Sequence, residues 1–338
     1  MAITYNSVDF RGVAAEPIIE ELLFENDTIG SGLVTFEEDV KAETIFTEAS
    51  ASATLQQYTS GAPTSAGSLS AFDVVVTPSK VQFYQEFDPN NLRFSRFKRS
   101  IKPGAWEILS DEFERVVIGG LYAKKVSLAL ENEFWNGVTS ATKTAVAALT
   151  AGTANNAVGA AEKTLVAALT ASQIDGVVAK MIYNDDNASA TAGVGGRIKV
   201  AGTAITAANI KAEYDKIYAA FPADVLAGQE APYIYAPRSH KQMIVQANNV
   251  TTDYTKPFVK VGESWYFNDI EIKFVPLPEK VVIAALKSHL FWCTDLLADV
   301  NTMQIDKIAN NREDMFLKNN MTLAAHVANQ KFNVLYVG

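Results

Sequence analysis

Residues 110–137, SDEFERVVIGGLYAKKVSLALENEFWNG, constrain the fold more than any other stretch, because every helix signal in them agrees over about seven turns. Ser110 is a good N-cap, Asp111 and Glu112 put negative charge at the positive end of the helix dipole, and Asn136-Gly137 supplies a left-handed stop. Phe113, Val117, Leu121, Leu128 and Trp135 form one apolar line, with Val116, Gly120, Ala123, Leu130 and Phe134 beside it. A stripe that wide must be covered. The helix would run roughly 40 Å, enough to cross a whole domain as a beam. Gly119-Gly120 costs about 2 kcal/mol against two alanines and marks a bend.

Before the beam the period is two. Residues 14–24 read as a short helix with Ile18, Leu22 and Leu23 on one side. From Val34 onward Phe36, Val40, Ala42 and Phe46 share a face opposite Thr35, Glu37, Asp39, Lys41 and Glu43, which predicts a long strand. Residues 50–70 are small, polar and turn-rich, as the tip of a hairpin would be. Phe72, Val74 and Val76 alternate on the return, and beyond Thr77-Pro78 the pattern resumes out of phase at Val81, Phe83 and Phe87. A phase slip beside proline signals a bulge or bend, so 33–88 reads as one long hairpin bent near Pro78. A two-stranded ribbon is marginal in water, and this one carries too much apolar surface to stand free, so it should lie on another subunit.

Residues 91–102, NLRFSRFKRSIK, mix Arg93, Arg96 and Arg99 with Phe94 and Phe97. Such a mixture can hold phosphate and stack bases, or it can be an amphipathic connector whose cations meet Glu37, Glu38 and Asp39. The net charge of −9 favours the connector and argues against general nucleic-acid or anionic-membrane binding. The repeat KTAVAALTA (143–151) and KTLVAALTA (163–171) is too short an array for a solenoid and reads as two similar turns or strands. Residues 206–221 form a second clear helix closed by Pro222, followed by a strand at 233–235 and a helix at 237–245. Strand patterns then recur at 270–274, 281–286, 303–308, 315–327 and 332–337. The fold class is therefore α+β.

With 338 residues, nearly half of them apolar, the chain can bury one large core or two modest ones. Cys293 stands alone, which excludes an internal disulfide and fits a reducing cytoplasm. The longest apolar run, 281–286, is too short to span a bilayer, and the first residues lack a basic start followed by an apolar core. The search for chemistry yields little. Gly30-Ser-Gly32 and the glycines at 193–196 lack the lysine and spacing of a phosphate loop. His289, Cys293 and Asp295 lack further ligands for a metal or an orienting group for a nucleophile, and Cys293 reads as a small core residue. Asn184-Asp-Asp-Asn187 misses the alternation of a calcium loop. No catalytic, cofactor or metal residue is assigned, and an enzyme is not expected.

The order of parts carries a resemblance. VTFEEDVKAETIF, a small-residue tip, FDVVVTPSKVQFYQEF, the SDEFERVV…ENEFWNG helix, PYIYAPRSHKQMI, GESWYFNDIEIKFVPLP and SHLFWCTDLLADVNTMQI together resemble the major capsid protein of tailed bacteriophages, the Hong Kong 97 type. The resemblance covers nearly the whole chain and lies in the succession of parts. It implies an N-terminal arm (1–32), an extended loop (33–88), a peripheral domain (89–137 and 287–338) with a spine helix, and an axial domain (138–286). It also implies a homo-oligomeric icosahedral shell of pentamers and hexamers in the virion, made in the host bacterial cytoplasm. Partners would be a portal, a scaffold or decoration protein, and packaged DNA held without sequence-specific contact; no cofactor and no membrane are implied. An encapsulin-type compartment is the alternative within the fold, and a tail-tube or surface-layer protein the alternative outside it. Candidate subunit contacts are Val34, Phe36, Phe46, Phe72, Val74, Arg93, Arg96 and Arg99. Because the spine begins near residue 110, any scaffold is expected to be a separate protein and the N-terminus unprocessed. No lysine lies between Lys41 and Lys80, so shells without isopeptide links are expected.

Overall fold

Alternating apolar residues in the last third of the chain set the frame, because each strand there must bury one or both faces. The structure is a computed structural model describing residues 8–11, 27–58, 60–62, 64–88, 122, 124–183, 196–250, 256–295, 302–308 and 314–338. The chain begins with β1 (Val8–Arg11), α1 (Asp27–Gly30), β2 (Thr35–Glu37), β3 (Thr44–Ala53), β4 (Gly67–Val76) and β5 (Ser79–Phe87). Four helices follow: α2 (Lys124–Asn136), α3 (Ser140–Ala148), α4 (Ala160–Ala168) and α5 (Val177–Ile182). The middle alternates β6 (Ile198–Ala201), α6 (Ile210–Ala220), α7 (Ala223–Leu226), β7 (Tyr233–Pro237) and α8 (His240–Val250). The remainder is β8 (Phe258–Val261), β9 (Ser264–Phe267), β10 (Ile270–Val275), β11 (Val281–Ala285), β12 (Leu290–Thr294), β13 (Thr302–Lys307), β14 (Met315–Val327) and β15 (Val334–Val337).

These strands make two sheets and a ribbon. A seven-stranded sheet runs β6-β15-β11-β7-β10-β9-β8. A six-stranded sheet is centred on β14, which pairs β13 along Met315–Asn320, β5 along Met315–Leu323 and β12 along Leu323–Val327. Strands β3 and β4 pair only with each other among the described residues. Strand β15 lies between β6 and β11, so residues 334–337 enter the sheet built by the middle of the chain.

Both faces of the seven-stranded sheet are covered. Tyr235, Val281, Ile283 and Leu335 face a core shared with α2, α5, β12 and β14, where Phe134 stacks on Trp292 at 4.5 Å. Ile234, Val282, Ala284 and Tyr336 face a second core with α6, α8 and β9. Alternate residues of one strand thus serve two cores, which is why 281–285 reads as an unbroken apolar run. Two groups of polar side chains buried at the seams are paired. Thr28 Oγ1 donates to Glu131 Oε1 at 2.7 Å, accepts from Trp135 Nε1 at 2.9 Å, and so ties α1 to α2. Tyr214 OH lies 3.1 Å from His240 Nδ1 while His240 Nε2 lies 3.1 Å from Glu279 O, a pairing that suits a neutral ring, and burial lowers the His240 pKa accordingly.

The structure departs from the sequence reading in three places. The repeat forms helices, α3 and α4, not turns or strands. Each lysine caps the other helix: Lys143 Nζ donates to Leu169 O at 2.5 Å and Lys163 Nζ to Leu149 O at 2.6 Å. Alanine has the highest helix propensity, and these cross-caps satisfy carbonyls that short helices otherwise leave open. The long hairpin is also interrupted. Asp39 sits at φ 68°, so 34–46 is not one strand; β2 instead pairs in parallel with β12, and β5 joins β14. The ribbon proper is only β3 and β4, with the break before β5 at Thr77-Pro78 where the phase slips. In the beam, Leu130, Phe134 and Trp135 are buried as expected, but Leu128 is half-exposed. The Ser110 cap, Gly119-Gly120, the helix at 14–24, the connector at 91–102 and the turn at 184–187 lie outside the described residues.

Candidate assembly surface

The ribbon has two different faces. Its register pairs Thr44 with Val76, Ile45 with Val75, Phe46 with Val74 and Glu48 with Phe72, out to Ala53 with Gly67. The face carrying Phe46 turns inward at the base. Phe46 packs 5.5 Å from the Phe291 ring and 5.0 Å from His326, over a small cluster of Val40, Val76, Cys293 and Ala324. Glu48, buried, accepts from the Asn329 backbone N–H at 2.8 Å and lies 3.4 Å from His326 Nε2. Two apolar anchors and one carboxylate therefore fix where the ribbon leaves the body.

The opposite face is largely uncovered among the described residues. Ile45 is 62% exposed, its partner Val75 55%, and Leu69 further out 81%. At the tip Leu55 and Tyr58 are fully in solvent, while Gln56 Nε2 donates to Thr64 O at 2.8 Å to hold the turn. Thr47 Oγ1 donates to Asp73 Oδ1 at 2.7 Å, so a polar cross-strand pair separates the apolar ones. The outer face of a two-stranded ribbon with three large apolar side chains in water, and with both edges unpaired among the described residues, suits a protein partner.

The sequence-derived candidates divide. Phe46 and Val74 lie on the inward face, Phe46 packed against the chain's own body. Val34 is 4% exposed within the main core and Phe36 packs beside it, so these two hold the chain together and do not project. Phe72 stands opposite Glu48 in the strand register. Arg93, Arg96 and Arg99 lie outside the described residues. Ile45, Leu69 and Val75, the exposed apolar residues of the outer face, are not among those candidates, although the signal was present: Ile45 and Val75 are out of phase with Phe46 and Val74 by one residue, and a period of two assigns them to the other face.

No reactive centre emerges from the other candidates. His289 Nδ1 is 2.9 Å from Asn333 Oδ1, and Cys293 is enclosed between β2 and β14. Burial, with a smaller contribution from the Glu37 charge, pushes the Cys293 thiol up to about 12. A thiol-exchange reagent is accordingly expected to label Cys293 only after unfolding, and complete labelling of the native chain within minutes would contradict the buried position. Among the described residues no group of three or more His, Cys, Asp or Glu could hold a metal, and no helix is long and apolar enough to cross a membrane.

No protein family and no curated protein matches the chain by sequence. Its backbone, however, superposes on a solved structure described as "Satellite phage P4 procapsid including size determination (Sid) protein", with a TM-score of 0.53 at 12% identity, covering 95% of this chain and 98% of that one. The chain has the Hong Kong 97-type capsid fold. Two further structures, described as "Microbacterium phage Oxtober96" and "The capsid of Myoviridae Phage XM1", align at 10% and 9% identity. Each covers 100% of this chain, with 93% and 94% of the other, at a TM-score of 0.48; the fold assignment rests on the first.

Proposed function

We propose that the chain is the major shell subunit of a tailed-phage head, assembling with copies of itself into a closed icosahedral container for the genome. The observation that carries this reading is the ribbon: its inner face is anchored to the body, and its outer face leaves Ile45, Leu69 and Val75 in water. A fold shared with a procapsid structure along nearly its whole length supports the same reading. In it residues 1–32 are the arm and 33–88 the loop. Residues 89–137 and 287–338 form the peripheral domain, with β15 passing into the sheet of the axial domain (138–286). A closed shell repeats one set of contacts many times, so modest burial per copy suffices. The acidic balance suits a container that must not trap DNA during filling. A portal, a scaffold or decoration protein, and DNA held without sequence preference are the partners of this reading.

Electron microscopy of the overexpressed, purified chain tests it. Closed spherical particles are expected. Tubes or flat lattices would indicate a tail-tube or surface-layer protein, particles filled with a cargo enzyme would indicate an encapsulin-type compartment, and a persistent monomer would overturn the proposal.

A further inference from the structure

His240 opens α8 with a fully buried side chain, and two other elements meet on its ring. Glu279 O, in the loop between β10 and β11, lies 3.1 Å from Nε2; a carbonyl can only accept, so Nε2 carries the proton. Nδ1 is then the acceptor for Tyr214 OH on α6, also at 3.1 Å. Burial pushes the Tyr214 hydroxyl above its ordinary range, so it stays protonated and able to donate. The other end of α8 is fastened differently. Asn248 Nδ2 donates to Phe258 O at 2.8 Å, a bond between groups that do not titrate. Between the two fastenings Ile244 is buried in the second core.

A second ring proton is at odds with this arrangement. Nδ1 would have to donate and Tyr214 OH to accept, and the hydroxyl hydrogen would lose its acceptor beside the Phe258 and Phe267 rings, whose centroids lie 5.4 and 5.6 Å from that of Tyr214. The ring would also hold its charge out of water. Charged groups on the surrounding elements do not offset this. Glu213 on α6 is engaged by Lys216 and Tyr336, and Arg238 ahead of α8 by Asp27 and Glu131. Lys241 and Lys280 are cations, and Glu279 is exposed. Desolvation therefore outweighs the carbonyl and charge of Glu279 and lowers the His240 pKa.

We propose that His240 is an acid-sensitive latch: its neutral ring fastens the start of α8 to α6 and to the loop after β10, and protonation frees that end while Asn248 keeps the other in place. Tyr214, the partner of the ring, belongs to the second core and not to the first, so the helical side of the second core is what opens. The direction follows from linkage. A histidine whose pKa is lower in the folded chain than in the unfolded one stabilises the fold above the unfolded value, and that stabilisation is lost as pH falls below about 6.5. The other two histidines sit elsewhere, His289 beside Asn333 and His326 beside Glu48. The latch is a property of one subunit and does not rest on the shell reading.

Amide hydrogen exchange of the full, unassembled chain at pH 7 and pH 5, corrected for the intrinsic exchange rate, tests it. The opening of residues 240–250 and 210–220 should rise about tenfold at pH 5, and that of α2, across the sheet, should rise less. In His240→Gln, which keeps an N–H near the Nε2 position but cannot titrate, the rise in α8 should disappear. A second measurement needs no variant: slow exchange of the imidazole C2 hydrogens, read by mass spectrometry over a pH series, should show His240 titrating below the ordinary histidine value. Equal protection of α8 at both pH values, an equal rise across α2, the same rise in His240→Gln, or ordinary titration of His240 would each overturn the proposal.

Discussion

Replacing Ile45 and Val75 together by lysine is expected to leave a folded chain that no longer closes into shells. The two residues stand directly opposite on the outer face of the ribbon, and each is more than half exposed. In the free subunit, charge there costs nothing and covers an apolar patch. In an assembled wall the same side chains would have to be buried unpaired, which costs several kcal/mol per copy, on top of the roughly 1.5–3 kcal/mol that each apolar side chain contributes when fully covered. Since every subunit repeats the defect, assembly fails as a whole. Sedimentation velocity and microscopy should show free subunits, with a far-ultraviolet circular dichroism spectrum like that of the unmodified protein. Normal yields of particles would mean that the outer face of the ribbon is not a subunit contact.

The second large effect concerns the fold itself. Arg197 has a fully buried side chain that donates to Asn155 O at 3.1 Å, to Ala157 O at 3.3 Å and to the Glu162 carboxylate. Glu162 in turn accepts from Gly159 N–H at 2.6 Å, the start of α4. This one guanidinium therefore ties the loop before α4 to the entry of β6. Arg197→Ala leaves the Glu162 charge in a buried site, with Lys199 the remaining cation within 4 Å among the described residues, at 3.8 Å. A loss of about 3–5 kcal/mol is expected, read as a lower urea midpoint for the unassembled chain. Arg197 and Glu162 replaced together by well-packed apolar residues should recover much of that loss, because the cost of a half-removed buried pair comes from the charge left behind. A single mutant as stable as the parent would show that the pair does not anchor α4.

The frame of the molecule was readable from period alone wherever a strand or helix buries a regular face. The runs at 270–274, 281–286 and 315–327 became β10, β11 and β14, and 206–221 became α6, because tertiary burial there agrees with local propensity. The paired repeat was misread for a physical reason. In each copy one valine, Val146 or Val166, is fully buried, so the stripe is too narrow to declare a helix, and the cross-capping lysines are a tertiary effect that spacing does not reveal. The hairpin was half legible. Alternation through 34–46 hid the break at Asp39, since an acidic residue that tolerates a left-handed backbone also looks like the polar member of a strand. The exposed face of the ribbon was hidden by the same bias: choosing the strongest apolar alternation selects the face that packs on the chain's own body, and passes over Ile45 and Val75.

The placement of β15 bears on how the molecule is made. Strands β6 and β11 have their mutual neighbour in residues 334–337, so a nascent polypeptide whose first 285 residues have left the ribosome still holds a gap in its main sheet. Contacts this distant in sequence form late. Each newly translated molecule therefore completes its main sheet only once residues 334–337 have emerged to close the gap.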